Sequence, residues 1–242
     1  MTAGLTGLEK ESDTIYPVLK KPMSKIKTTK LLHEKDWIFN KSDDSNLDNT
    51  LRYRNSLNLI CKYRPEKIFD TGCGSGVLGR MIKKVFPDTL LHGCDISKPA
   101  LDKAENYYEM LWESNLDRED IPAKSSFYDL VTCSEVLEHI YDVNHVLMEI
   151  KRILKKNGIA LLTVPNLTYW RYRIDIFKGK LPIPADDDRH IHQFTQYSML
   201  KKLKTVPFKI IAVTGHSIKI PRLAKWKPSL FSDTLFFEIK KQ

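Results

Sequence analysis

Glu135, Glu138 and His139 follow one another at i, i+3 and i+4 in the stretch SEVLEHI. On a helix that spacing puts all three on one face. Two carboxylates and an imidazole together form a ligand set for Mg²⁺ or Zn²⁺, and a cation held there would bind an acceptor hydroxyl and lower its pKa. A plainer reading makes Glu135 a helix cap and His139 a polar residue beside a pocket, or a base that acts without metal. Farther along, His190 and His192 alternate in HIHQFT, so on an extended segment they face the same side and one can supply a base or a further ligand. Against this, Asp186, Asp187 and Asp188 stand just before them, as in a solvated loop. His139, His190 and His192 are the candidate catalytic groups.

A second constellation lies upstream, in KIFDTGCGSGVLGRM from Lys67 to Met81. Gly74-Ser-Gly76-Val-Leu-Gly79 fits the dinucleotide-binding G-x-G-x-x-G pattern, with Asp95 about 20 residues on. The same stretch also reads as Asp70-x-Gly72-x-Gly74-x-Gly76. A pyrophosphate depends on free backbone N–H groups and the positive end of a helix, and the Asp70 carboxylate at the entrance would repel it. S-adenosylmethionine has no phosphate and carries a sulfonium and an ammonium, so for that ligand Asp70 is an asset. Gly72, Gly74 and Gly76 then let the chain pass close beneath a nucleoside, while Asp95, with Ile96 beside it, accepts from ribose hydroxyls. No G-K-[ST] follows, which excludes a Walker-type loop.

These groups need elements to hold them, and the pattern supplies an alternation. The spacing of Leu51, Leu57, Ile60 and Cys61 predicts a helix over Leu47 to Tyr63, closed by Pro65. Then come a strand at Lys67 to Thr71, a helix at Val77 to Phe86, a strand at Leu90 to Asp95 and a helix at Lys98 to Asn106 opened by Ser97 and Pro99. Tyr107 to Trp112 reads as a third strand and Phe127 to Ser134 as a buried fourth. Val143 to Gly158 reads as an amphipathic helix with the glycine as its stop, and Ile159 to Pro165 as a fifth strand. Strands and helices in turn imply a parallel sheet covered on both faces, with ligands beyond the carboxyl ends of the strands. Two late strands, Phe208 to Ile220 and Asp233 to Lys241, are joined with little helix, so one of them should run antiparallel at the sheet edge. Residues 1–44 lack periodicity and read as an N-terminal arm, leaving residues 45–242 as one domain.

Between TVPN and HIHQFT, residues 165–193 form an insert beyond the fifth strand, the natural place for acceptor choice. Leu167, Trp170, Ile174 and Phe177 keep helical spacing there, with Arg171, Arg173 and Lys178 pointing elsewhere. This basic amphipathic helix reads as a lid, as a contact with an anionic membrane surface, or as a helix packed on the core. Across all 242 residues, 39 Lys and Arg outnumber 30 Asp and Glu, which admits a polyanionic partner such as RNA or a membrane surface without demanding one. The lysine patches at Lys20 to Lys30, Lys201 to Lys209, Lys219 to Lys227 and Lys240–Lys241 also read as ordinary solvated faces. Four scattered cysteines form neither a zinc ribbon nor a disulfide framework, and no apolar run approaches the ~20 residues of a membrane span. The expected setting is the cytoplasm.

Taken together, IFDTGCGSGVLG, GCDIS, FYDLVTCSEVLEHI, LKKNGIALLTVPN and HIHQFT resemble the class I S-adenosylmethionine-dependent methyltransferases over about Leu47 to Lys240. The resembling branch includes ubiquinone-biosynthesis O-methyltransferases and enzymes of surface-glycan pathways. The resemblance implies an α/β, Rossmann-like, doubly wound seven-stranded sheet, mostly parallel with an antiparallel last strand. It implies cofactor contacts from Gly72, Gly74, Asp95 and Ser134, and adenine flanked by Asn115 and Leu116. There the chain departs from the family, whose acidic residue is missing; Glu113 and Asp117 are the nearest. Arg52 or Arg54 is expected to reach the methionyl carboxylate. The acceptor reading is a hydroxyl of a small molecule, lipid-linked intermediate or glycan. RNA 2′-O-methylation and a non-catalytic S-adenosylmethionine-binding protein are the alternatives.

Overall fold

A computed structural model of the chain describes residues 51–217 and 220–242. The expected N-terminal arm, the start of the first predicted helix, the first lysine patch and Lys219 lie outside the described residues. Seven strands form one sheet in the order β3-β2-β1-β4-β5-β7-β6. These are β1 (Lys67–Thr71), β2 (Leu90–Asp95), β3 (Met110–Glu113), β4 (Tyr128–Ser134), β5 (Leu154–Pro165), β6 (Phe208–His216) and β7 (Thr234–Lys241). The first five are parallel, and β7 runs antiparallel to both β5 and β6. The chain order reverses between β1 and β4, so a crevice opens above their carboxyl ends.

Helices cover both faces: α1 (Leu51–Tyr63), α2 (Val77–Val85) and α3 (Lys98–Ala104) on one, α4 (Val143–Ile153) and α7 (Gln196–Leu203) on the other. Adjacent strand residues feed opposite cores. Ile68 packs with Ile60 of α1 and Ile82 of α2, while Phe69 joins the cluster of Leu147, Ile150 and Met199. Local chemistry sets the helix starts. Ser97 caps α3 by accepting from the Ala100 N–H, Asp142 caps α4 through the His145 N–H, and Thr195 and Ser198 form a reciprocal box at α7. At the far end of α1, Lys62 Nζ and Tyr63 Oη donate to buried Glu238 of β7 at 2.7 and 2.6 Å, fixing the helix that carries Arg52.

Three expectations about elements are corrected. The antiparallel strand is the last one, but it lies inside the sheet between β5 and β6, because its run Leu235, Phe236, Phe237 and Ile239 is buried on both faces. The half-exposed β6 takes the edge. The helix from Val143 stops at Ile153, and Leu154 already pairs with Tyr128; Gly158 serves an irregularity of β5 beside Asn157, whose φ is +65°. Finally, α3 tightens into a 3₁₀ turn at Glu105–Tyr107, which delays β3 to Met110. After β5 come α5 (Trp170–Phe177) and α6 (Ile183–Asp186), and α8 (Pro221–Trp226) and α9 (Pro228–Phe231) lead to β7. Among the described residues no helix is long and apolar enough to cross a membrane.

Candidate active site

At the end of β1 the chain turns through Gly72, Gly74 and Gly76 with φ of +70°, +53° and +79°. Only glycine adopts such values in series without strain. At Gly72 the close approach of Val136 leaves no room for a Cβ. Asp95 holds the turn from the next strand: Oδ2 accepts from the Gly74 N–H and Oδ1 from the Ser97 N–H, both at 2.9 Å. Asp70 is 2% exposed, and its two oxygens accept from Thr132 Oγ1 at 2.6 Å and Tyr108 Oη at 2.7 Å. Burial raises the Asp70 carboxyl above its ordinary pKa, and the two hydroxyl donors oppose that rise.

Above the turn lies a cavity of about 390 Å³. Asp70, Gly72, Gly74, Asp95 and Ile96 line its floor, and Asn115, Leu116, Ser134 and Arg52 its walls. Gly76 does not line it and packs instead against Ala104. Of the two arginines, Arg52 faces the cavity and Arg54 is exposed to solvent. Of the two acids near the adenine position, Asp117 lines the cavity while accepting from the Tyr141 N–H, and Glu113 is exposed. Sequence reading missed Ser75, Ser114 and Arg189, which also line it. The lining fits S-adenosylmethionine. It offers four carboxylates, Asp70, Asp95, Asp117 and Glu135, against two arginines and no lysine, and buried Ser75 Oγ has no hydrogen-bond partner among the described residues.

On the other side of the crevice β4 ends at Ser134, whose hydroxyl meets Thr163 Oγ1 at 3.0 Å. Glu135 follows in the left-handed region at φ +55°, uncommon for a residue with a side chain. Next comes a 3₁₀ turn at Leu137–His139 in place of the predicted helix, so Glu135 does not share a helical face with the other two. Its carboxylate lies 3.8 Å from Arg52 Nη1 and accepts from Thr163 Oγ1 at 3.2 Å. Burial raises its pKa and Arg52 opposes the rise.

Glu138, His139 and His190 come together instead: one ligand atom from each lies within 4.8 Å of the others. Glu138 is 1% exposed, and among the described residues neither carboxylate oxygen has a hydrogen-bond partner. Burial first, and then Glu135, push its pKa well up. Both imidazoles are set by carbonyls. His139 Nδ1 meets the Arg189 carbonyl at 3.1 Å and His190 Nδ1 meets the Pro184 carbonyl at 2.8 Å. A carbonyl only accepts, so each ring donates through Nδ1, the pattern of a metal ligand or a base, and His190 Nε2 lies 3.8 Å from Asp187 Oδ2. The Glu138 carbonyl accepts from the N–H groups of Ile191 and His192, which straps the insert's end onto the turn. His192 itself stands apart, with Nε2 at 3.3 Å from the Tyr141 carbonyl. Sequence periodicity could not place His190 here, because the stretch after Phe177 that returns it to the turn has no sustained helical or strand spacing.

Within that insert, α5 buries no residue, which corrects the core-packing reading of its apolar stripe. Phe177, Leu181 and Ile183 are 92, 67 and 77% exposed, among exposed Arg171, Arg173, Lys178 and Lys180.

Comparison with known proteins bears on the domain and the fold. Residues 69–160 match the family profile of a methyltransferase domain. The ubiquinone biosynthesis O-methyltransferase of Acinetobacter baylyi is 27% identical over 159 residues, 62% of this chain and 66% of the relative. That of Haemophilus ducreyi is 26% identical over 118 residues, 45% of this chain and 49% of the relative. The demethylmenaquinone methyltransferase of Thermotoga maritima is 28% identical over 153 residues, covering 60% and 67%. The chain thus spans between about half and two thirds of the curated relatives it matches. The fold is that of a solved S-adenosylmethionine-dependent methyltransferase from Archaeoglobus fulgidus, with a TM-score of 0.61 at 15% identity over 88% of this chain and 99% of that one. A methyltransferase solved with the Haloferax volcanii Trm112 activator gives 0.63 at 15% identity, covering 86% and 97%. Together these likenesses support a class I S-adenosylmethionine-dependent methyltransferase of the branch that includes the ubiquinone-biosynthesis O-methyltransferases, with the methyltransferase-domain match lying over residues 69–160.

Proposed function

We propose that the protein transfers the methyl group of S-adenosylmethionine to a hydroxyl of a small molecule, a lipid-linked intermediate or a glycan. The observation that carries this reading is the union of two chemistries in one crevice. The cavity floored by Asp70 and Asp95 is also lined by His139, a member of the Glu138, His139, His190 cluster. Methyl transfer is an in-line displacement on an already activated sulfonium, so the chain's work is to position both partners and to weaken the acceptor O–H. Asp95 would take the ribose hydroxyls, Arg52 the methionyl carboxylate and Asp70 the cationic end. The acceptor would enter from the side of Glu138 and the insert.

The cluster fits a divalent cation such as Zn²⁺ or Mg²⁺. A buried carboxylate with both oxygens unpartnered among the described residues and two imidazoles whose Nδ1 meets a carbonyl form a set of hard and borderline donors. When bound, such an ion supplies Lewis acidity toward the acceptor hydroxyl. The names of the relatives, which act in ubiquinone biosynthesis and on demethylmenaquinone, favour an acceptor with an apolar body. Exposed Phe177, Leu181 and Ile183 beside four cations suit the same choice, with α5 and α6 resting on an anionic membrane surface.

Calorimetry tests the cofactor half. S-adenosylmethionine and its demethylated product should bind in the micromolar range and NAD should not; NAD binding alone would overturn the reading. Product mass analysis after incubation of the protein and labelled S-adenosylmethionine with extracts of its own cells tests the acceptor half. Label transferred to oxygen is expected, and label on RNA alone would move the reading to the nucleic-acid alternative.

A further inference from the structure

The positive φ of the turn explains Gly72, Gly74 and Gly76, but not why glycine recurs at positions 79 and 93, in α2 and β2. The Tyr108 ring is the nearest group to both. A Cβ on Gly79 would stand 2.5 Å from the ring carbons and hydroxyl and one on Gly93 3.0 Å from Cε1; one on Gly76 would meet Ala104 first, at 2.9 Å, and Cε2 of the same ring at 3.2 Å. The second half of the apparent dinucleotide fingerprint therefore makes a seat for an aromatic ring. Tyr108 lies buried in that seat, with its hydroxyl 2.7 Å from Asp70 Oδ2.

We propose that Tyr108 is a positioning residue for the cofactor: seated in the glycine socket, its phenol fixes the Asp70 carboxylate, charged and correctly turned, toward the cationic end of S-adenosylmethionine. The proposal rests on the cofactor reading above. The phenol contacts Asp70 rather than the cavity, since Tyr108 is absent from the lining and Asp70 is part of it. A buried carboxylate keeps its charge only where donors replace lost water, and here two hydroxyls do so, Tyr108 on one oxygen and Thr132 on the other. A hydroxyl with only an acidic partner has one useful orientation, which turns the carboxylate plane as well as satisfying it.

Other groups near Asp70 cannot substitute. Asp95 on β2 is a like charge and opposes ionisation. Cys73 on the turn, Cys94 on β2 and Cys133 on β4 have thiols pushed up by burial, so they stay neutral. Burial likewise pushes the Tyr108 phenol up and keeps it a donor throughout the working pH range.

The test is a double-mutant cycle read by calorimetry between pH 5.5 and 8.5, with wild type, Tyr108→Phe, Asp70→Asn and the double variant. Wild type should bind S-adenosylmethionine with nearly constant affinity. Tyr108→Phe keeps the ring in its socket and should bind about tenfold more weakly at the acid end, recovering as pH rises and Asp70 regains its charge. In the Asp70→Asn background the same substitution should cost less than about twofold, because the phenol then has no charge to hold. A uniform, pH-independent loss that persists in that background would reduce Tyr108 to packing and overturn the proposal, as would unchanged affinity. Thr132→Val, which removes the other donor, should reproduce the pH dependence and keeps the test decisive if Tyr108→Phe folds poorly. Failure of wild type to bind S-adenosylmethionine at all would instead strike the cofactor reading.

Discussion

The two banks of the crevice are built on opposite principles. On the bank formed by β1 and β2, both oxygens of Asp70 and both of Asp95 accept hydrogen bonds, and the glycine turn is pinned to Cys94 by two backbone bonds of 2.8 and 3.0 Å. Across the crevice, Glu138 is as deeply buried as Asp70 and has no partner on either oxygen among the described residues, while large apolar side chains of the insert are exposed. The first bank is preorganised: its polar groups are oriented before a ligand arrives and cost nothing to reorganise. The second leaves Glu138 without a partner among the described residues and Phe177 exposed. On the proposed function this asymmetry has a reason, since the cofactor is constant and the acceptor is the variable partner.

The largest effect should come from breaking the second bank at its centre. Glu138→Ala removes the only carboxylate of the cluster, and turnover should fall by about 10²–10⁴ while cofactor affinity stays within about twofold. A chelator should do the same to wild type, with activity restored by added Zn²⁺ or Mg²⁺; the variant should not be rescued. Undiminished turnover in the chelated enzyme would remove the cation and leave His139 or His190 as a base. On the preorganised bank the effect should fall on binding. Asp95→Ala frees the Gly74 and Ser97 N–H groups and removes the ribose acceptor, so S-adenosylmethionine and its product should both weaken by about 1–3 kcal/mol in calorimetry. Equal affinity in the variant would show that the turn holds without Asp95.

The same asymmetry governs how far the site was legible in the sequence. The preorganised bank is local: Asp70 and Asp95 end consecutive strands with the glycines between, and strand periodicity alone brings them together. The second bank depends on two things that pattern does not encode. One is the 3₁₀ turn at Leu137–His139, which follows Glu135 in the left-handed region and breaks the expected helical spacing of Glu135 and Glu138. The other is the return of the insert, fixed by backbone bonds from Ile191 and His192 to the Glu138 carbonyl. The position of β7 was likewise hidden, because an apolar run marks a strand as covered without naming its neighbours.

A stability measurement sharpens the contrast, with an expected effect of about 1–3 kcal/mol or less. Burial and the nearby Glu135 raise the Glu138 carboxyl. A carboxyl whose folded pKa lies above its unfolded value of about 4.3 binds its proton more tightly when folded, so stability declines as pH rises from that value through the folded pKa. Glu138→Gln removes the ionisation. In metal-free protein it should raise the urea midpoint at pH 8 and change it little near pH 4, whereas added cation should stabilise wild type and not the variant. A variant less stable than wild type at pH 8 would mean that the carboxylate is satisfied in solution.

The smallest effect on the fold belongs to the insert, and there it separates stability from function most cleanly. Phe177 is 92% exposed at the end of a helix with no buried residue, so Phe177→Ser should shift stability by no more than about 0.5 kcal/mol. If α5 and α6 rest on an anionic surface, that change should still reduce binding to phosphatidylglycerol-containing vesicles in a sedimentation assay. Lys178→Ala with Lys180→Ala should reduce it further at low salt, because each cation near such a surface contributes roughly 1 kcal/mol within a Debye length. Vesicles of phosphatidylcholine alone should bind poorly. Equal binding to both lipids, or none to either, would assign the apolar insert to covering an acceptor in solution, and turnover of water-soluble phenols should then fall with Phe177→Ser.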